Sequence, residues 1–313
     1  MRNLLIVLVL LTGCGEYYTD WVEEYKEKPK VIATEFDPEV AIRSKALRYR
    51  ELAKAEQDAN GFLYTHRCDS LLFSGLYSAA VPEKDVNILA AYESGQWFRR
   101  PSKDCGPEFG NSRSTISRDM ILGVMWHIWR NRDLAMAEHL REDIKSNNYI
   151  LRGDGTPGEL YVIPSFVHTL DLIIGSLGGK SEVGDLLLPN LWDDSNGYVS
   201  HLTVWHILLR GEARGYIVRS ELDELERIYL TNRNNPLYSA AYHKYMTGDM
   251  AEATKLLLNN NLWPANELPD NRNYCSLWLV ETAFESHDLQ PCLNGDARKR
   301  GFELVVIYEL IIK

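Results

Sequence analysis

The sequence predicts an all-α fold in which six helical hairpins close into a ring, with little or no sheet. Three observations predict it. From residue 37 onward apolar residues recur at helical spacing, and no stretch alternates strictly as a half-buried strand does. Strongly apolar helices take turns with more polar, amphipathic ones. The starts of the apolar helices, near residues 69, 117, 165, 201, 239 and 276, lie roughly 48, 48, 36, 38 and 37 residues apart, the size of a helical repeat unit. An open solenoid and a closed ring both satisfy such a period. Six is the number that closes the ring, with apolar helices inside and amphipathic ones outside.

The first element is not part of that fold. Arg2 and the apolar run Leu4–Leu11 have the make-up of an export signal and are far shorter than the roughly 20 residues a membrane span needs. "LTGC" at 11–14 resembles the bacterial lipobox. The resemblance implies a signal peptide over residues 1–13, cleavage before Cys14, and acyl chains on Cys14 that anchor the chain to the cell envelope. Gly15, where an Asp would favour the inner membrane, resembles the outer-membrane default of Gram-negative lipoproteins. Residues 14–36 are charged and poor in apolar residues and read as an extended tether. The remainder, 37–313, reads as one domain.

Within that domain each element has its own signal. Asp37 and Pro38 open a helix of good helix formers that the Asn60–Gly61 pair stops. "CDSLLFSGLYSAA" (68–80) is apolar, and "EKDVNILAAYE" (83–93) follows as a further helical run. Residues 94–114, rich in Gly, Pro and charge, form a loop long enough to be functional. Then come "TISRDMILGVMWHIWR" (115–130, apolar) and "RDLAMAEHLREDIKSN" (132–147, amphipathic). "YVIPSFVHTLDLIIGSLGG" (161–179) is apolar and "SEVGDLLLPNLW" (181–192) more polar. "GYVSHLTVWHILLRGEARG" (197–215) is apolar and "RSELDELERIYLTN" (219–232) amphipathic. "PLYSAAYHKYMTG" (236–248), "DMAEATKLLLNNN" (249–261) and "NYCSLWLVETAFES" (273–286) continue the alternation, and "KRGFELVVIYELIIK" (299–313) ends it.

The net charge of −10 argues against a nucleic-acid partner, which calls for a basic face. Of the 5 cysteines, removing Cys14 leaves Cys68, Cys105, Cys275 and Cys292. An even number in an oxidising compartment suggests disulfides. Three pairings are open, and Cys68–Cys105 with Cys275–Cys292 are favoured because each closes a local loop; four buried free thiols are the other reading. No Cys-x-x-Cys or His-x-x-x-His spacing points to a metal, and nothing in the sequence calls for a cofactor.

The alternation over roughly residues 37–313 resembles the (α/α)6 toroid of six-hairpin glycosidases and related lyases. The resemblance is one of pattern, and it implies that the inner helices point their starts at one mouth. Helix starts carry unpaired N–H groups and a partial positive charge, so polar residues there would ring a single pocket. His66 and Asp69 head the first inner helix, Arg118 and Asp119 the second, Tyr161, Ser165 and His168 the third, and Tyr198, Ser200 and His201 the fourth. Tyr238 heads the fifth. The expected substrate or ligand is a poly- or oligosaccharide. Asp69 and Asp119 are the first choice for the paired carboxylates that glycoside hydrolysis needs, ahead of Glu108 and Glu159. A lyase would use a base such as His201 or Tyr161, with Arg118 neutralising a uronate. His66, His168, Tyr198 and Tyr238 would bind substrate. Trp97 on the long loop is the candidate sugar platform, with Arg99 and Arg100 beside it for an anionic glycan. An Asp at a helix start equally serves as an N-cap or dipole partner. The same toroid without catalysis would be a binding scaffold.

Overall fold

The structure, a computed structural model, describes residues 36–63, 69–81, 86–103, 116, 118–151, 160–162, 164–182, 197–268 and 302–313. Pro38–Lys313 forms one compact unit. Cys14, His66, Cys68, Cys105, Glu108, Glu159, Cys275 and Cys292 lie outside the described residues, as do the side chains of Arg118, Tyr161 and Tyr198.

Among the described residues there are ten α-helices: α1 (Pro38–Ala55), α2 (Ser70–Ala80), α3 (Arg118–Asn131), α4 (Leu134–Ser146), α5 (Pro164–Ser176), α6 (Gly197–Arg214), α7 (Arg219–Thr231), α8 (Pro236–Met246), α9 (Ala251–Leu258) and α10 (Glu303–Ile307), which runs on as a π-turn over Tyr308–Ile312. Their starts follow local chemistry. Pro38 and Pro236 occupy first-turn positions whose N–H would be unpaired anyway. Asn235 caps α8 by accepting from the N–H groups of Leu237 (2.9 Å) and Tyr238 (3.3 Å). Asp133 caps α4 through Met136 N–H at 2.9 Å. Gly215 and Gly248 end α6 and α8 at φ 82 and 73, a left-handed conformation that glycine enters without a Cβ clash.

The all-α expectation holds with two small additions. The run 83–93 is not a helix where it is described. Ile88–Ala91 makes a 3-10 turn, and β1 (Tyr92–Glu93) pairs antiparallel with β2 (Gln96–Trp97). Ser94 and Gly95 both take positive φ (52 and 80), the backbone of a tight two-residue hairpin. A second such pair joins β3 (Ile150–Leu151) to β4 (Leu160–Tyr161). The chain's end, which the sequence pattern leaves outside the six apolar helices, is core: Phe302, Leu304, Val305, Val306 and Ile307 are all buried.

The apolar helices run parallel, as their contacts show. Between α2 and α3, Gly75 faces Gly123, and further along Ser78 Oγ bonds His127 Nδ1 at 2.7 Å. Between α5 and α6, Thr169 meets His206 (2.7 Å) and Ser176 Oγ donates to the Ala213 carbonyl (2.6 Å). Between α3 and α6, Trp126 Nε1 donates to the Trp205 carbonyl (3.0 Å), and Trp129 Nε1 reaches Glu212 (3.1 Å). Tyr238 of α8 bonds Ser200 of α6, and Tyr245 lies against Gly211. Phe302 packs edge-on to Phe73 and Tyr77 of α2, and Lys244 of α8 donates to the Leu310 carbonyl at 2.9 Å. In the pairs α2–α3, α5–α6, α3–α6 and α6–α8, later residues of one helix meet later residues of the other.

Neighbours run α2 to α3, α3 to α5 and α6, α5 to α6, α6 to α8, α8 to α10, and α10 back to α2. The amphipathic helices lie against these: α4 on α3 and α5, α7 on α6 and α8, α9 on α8 and α1. The α3–α6 contact fills the middle, where Trp126 and Trp205, both fully buried, meet edge to face at 5.8 Å.

Candidate functional site

Parallel helices put their starts at one end, called the head here. The chain enters the head and leaves the tail by very different routes. The turns leaving α3, α6 and α8 span only 132–133, 215–218 and 247–250. More sequence lies between the preceding described element and α2, α3, α6 or α10, as in 98–117 and 259–302, and much of it is outside the described residues.

The described floor of the head is aromatic. Phe73 of α2 stacks on His201 of α6 (6.2 Å, 23°) and packs edge-on to Phe302 at 5.4 Å. Around it lie buried polar side chains: Asp119 in the first turn of α3, Ser165 and His168 on α5, Ser200 on α6, Asn235 and Ser239 on α8, and Glu303 on α10.

The sequence-predicted residues fall into distinct environments. Asp69 precedes α2 without capping it through its side chain. It instead accepts from Arg99 Nη1 at 3.3 Å and keeps 37% of its side chain exposed. The Arg99 carbonyl in turn accepts from Leu71 N–H at 2.8 Å. Arg99 therefore docks the segment after β2 onto the start of α2 with both its backbone and its guanidinium. That placement corrects the picture of Arg99 and Arg100 on an open loop: both are buried. Trp97 is corrected in the same way. It sits on β2, is buried, and lies 5.0 Å from the Tyr92 ring. Covered by the hairpin, its ring is core packing and not a free platform.

His201 is fully buried, and burial pushes its imidazole down to about 3. Its Nε2 accepts from the Trp205 indole N–H at 2.7 Å. Indole only donates, so the proton of neutral His201 is on Nδ1 and its one lone pair is already engaged. This corrects the general-base reading of His201: the ring is a neutral hydrogen-bond donor. Tyr238 is likewise buried, and burial raises its hydroxyl well above the ordinary tyrosine range. At neutral pH it stays protonated and serves as a donor or acceptor of hydrogen bonds. Deeper in α6, His206 pairs with Thr169, whose hydroxyl donates to the Ser165 carbonyl at 2.8 Å. Thr169 has one hydroxyl proton, so His206 donates from Nε2 and belongs to the core. Among the described head residues, Asp69, Asp119, His168 and Glu303 remain for acid–base chemistry.

The sequence pattern misses Glu303 and the Phe73–Phe302 contact, while Asn235, a polar residue at the start of the fifth apolar helix, is legible in it. Glu303 has a legible signal: it is the single charge in the apolar run "FELVVI", and a buried carboxylate calls for a reason. Among the described residues no group of three His, Cys, Asp or Glu side chains is placed to hold a metal ion, and no helix is long and apolar enough to cross a membrane. No family model, curated protein or solved structure matches the chain.

Proposed function

We propose that this chain is an exported lipoprotein, anchored through Cys14, whose parallel helices close into an (α/α)6 toroid that binds a carbohydrate at its head end. The convergence of helix starts at one end, where Asp69 keeps 37% of its side chain exposed, carries this reading. A carboxylate reachable from solvent accepts from sugar hydroxyl groups. The chain of neighbours that leaves α2 and returns to it through α10 supports ring closure. The lipid anchor is supported by the "LTGC" resemblance and the signal-like run before it.

Binding without turnover is the first reading, because the candidate lyase base His201 is neutral with its Nε2 already accepting from Trp205. One observation keeps a hydrolase as the second reading: Asp69 stands half-exposed at the start of an inner helix, where a carboxylate can reach a ligand. A glycan-array screen of residues 38–313, followed by mass spectrometry of each incubated hit, separates the two. Binding with intact glycans supports the scaffold. Shortened products gaining one water support a hydrolase, and unsaturated ends a lyase. No binding to any glycan overturns the carbohydrate assignment.

A further inference from the structure

We propose that the outer face of α1 is a lipid-docking surface that lays the domain against the membrane carrying its anchor; this rests on the lipoprotein reading above. Helix α1 buries Ile42, Lys45, Ala46, Tyr49 and Ala53 and turns its opposite face to solvent. On that outer face Val40 and Leu47 are exposed by 59% and 51%. They lie seven residues apart, two turns along one stripe. Arg43 and Arg48 flank them, Lys54 follows, and exposed Lys255 is contributed by α9, which packs alongside α1. Asp37, Glu39 and Glu51 are the acidic members of the face, Glu51 being paired with Arg48 at 3.0 Å. Arg43, Arg48 and Lys54, joined by Lys255 of α9, stand against these three carboxylates in a chain whose net charge is −10.

Exposed aliphatics with cations beside them fit one occupant, an anionic lipid surface. The apolar residues of such a helix enter the acyl boundary by about 5–10 Å while each cation gains about 1 kcal/mol from anionic headgroups. The chain supplies the proximity. Roughly two dozen residues separate Cys14 from Pro38, a reach of at most about 80 Å. A chain held at Cys14 therefore keeps α1 at high effective concentration near the bilayer, so that a weak docking surface suffices.

The test uses the full-length protein, expressed with its signal and reconstituted in vesicles of phosphatidylethanolamine with phosphatidylglycerol. A benzophenone amino acid is placed either at Ser44, on the α1 stripe, or at Ser220, on α7. Intact mass first reports acylation of Cys14. Photolysis then reports lipid adducts at each position. With the anchor present, the expected result is about tenfold more lipid adduct at 44 than at 220, falling toward the level at 220 in Arg43→Glu/Leu47→Asp and in vesicles lacking phosphatidylglycerol. Both substitutions are at exposed positions, so the folded core is untouched. Equal adducts at both positions in an acylated protein overturn the docking proposal and leave the anchor standing. Protein–protein cross-links at 44 in place of lipid adducts overturn it in favour of a second copy. A chain without acyl groups overturns the anchor and the docking together.

Discussion

His127, His201 and His206 are each held neutral by burial, which pushes them down to about 4, 3 and 3. In the unfolded chain they titrate near the ordinary 6.5. Below that value the unfolded state binds protons that the folded state does not, so stability falls as pH falls from about 6.5 toward 4, and above 6.5 these groups contribute no pH dependence. Each histidine costs about 1 kcal/mol per pH unit in that window. Urea midpoints measured at pH 7, 6 and 5 should drop progressively, and His206→Phe should flatten the slope by about a third. A slope unchanged by that substitution would show His206 titrating freely in the fold. Glu221 makes a second prediction at this scale. It takes two hydrogen bonds from Arg214 (2.9 and 3.0 Å) and an ion pair from buried Arg210 (3.1 Å). Glu221→Ala leaves two guanidiniums uncompensated and should cost about 3–5 kcal/mol by urea unfolding. A loss below 1 kcal/mol, roughly what a surface pair is worth, would mean that the arginines find other partners.

Helices α2 and α3 touch backbone to backbone. A Cβ on Gly75 would lie 2.3 Å from the Gly123 carbonyl oxygen, and one on Gly123 would lie 2.4 Å from the Leu72 carbonyl oxygen. Neither obstacle is a side chain that can swing away. Gly123→Ala should therefore force the helices apart and cost about 2–4 kcal/mol. Gly175→Ala, exposed in α5 with its nearest neighbour at 3.4 Å, should be neutral or stabilising by up to about 1 kcal/mol. Circular dichroism melts of the two variants check the pair, and a neutral Gly123→Ala would refute the close crossing. The helices themselves are legible in the sequence because burying one stripe imposes a 3.6-residue period, and the Trp205–His201 bond is legible as an i, i+4 pair. The hairpin at 92–97 is hidden because two residues, Ser94 and Gly95, decide it inside an otherwise helical-looking run. The Asp69–Arg99 pair is hidden for a different reason: tertiary folding of the hairpin brings together residues 30 apart in sequence. The burial of Trp97 comes from the same hairpin.

The two ends of the bundle of parallel helices differ in construction, and that difference separates stability from function. At the tail, Glu212 accepts from Trp129 (3.1 Å) and Arg130 (3.3 Å) and pairs with Lys244 at 3.6 Å, so that one carboxylate ties α3, α6 and α8 together. Lys244 also holds the final turn of the chain through Leu310. The described turns after α3, α6 and α8 at this end are short. The head presents Asp69 with 37% of its side chain exposed. On the proposed function, substitutions at the two ends should therefore act on different observables. Glu212→Gln should lower unfolding free energy by about 1–3 kcal/mol, since it removes the charge from charge-assisted hydrogen bonds, while leaving glycan affinity within about twofold. Asp69→Asn should change stability by no more than about 1 kcal/mol, because its ion pair is solvent-screened. It should weaken glycan binding about tenfold, equivalent to about 1.4 kcal/mol. Titration calorimetry with the tightest glycan from the array, beside urea unfolding of the same samples, measures both. If Asp69→Asn binds as tightly as the parent, or if Glu212→Gln weakens binding as much as it weakens the fold, the ligand does not sit at the head of the parallel helices.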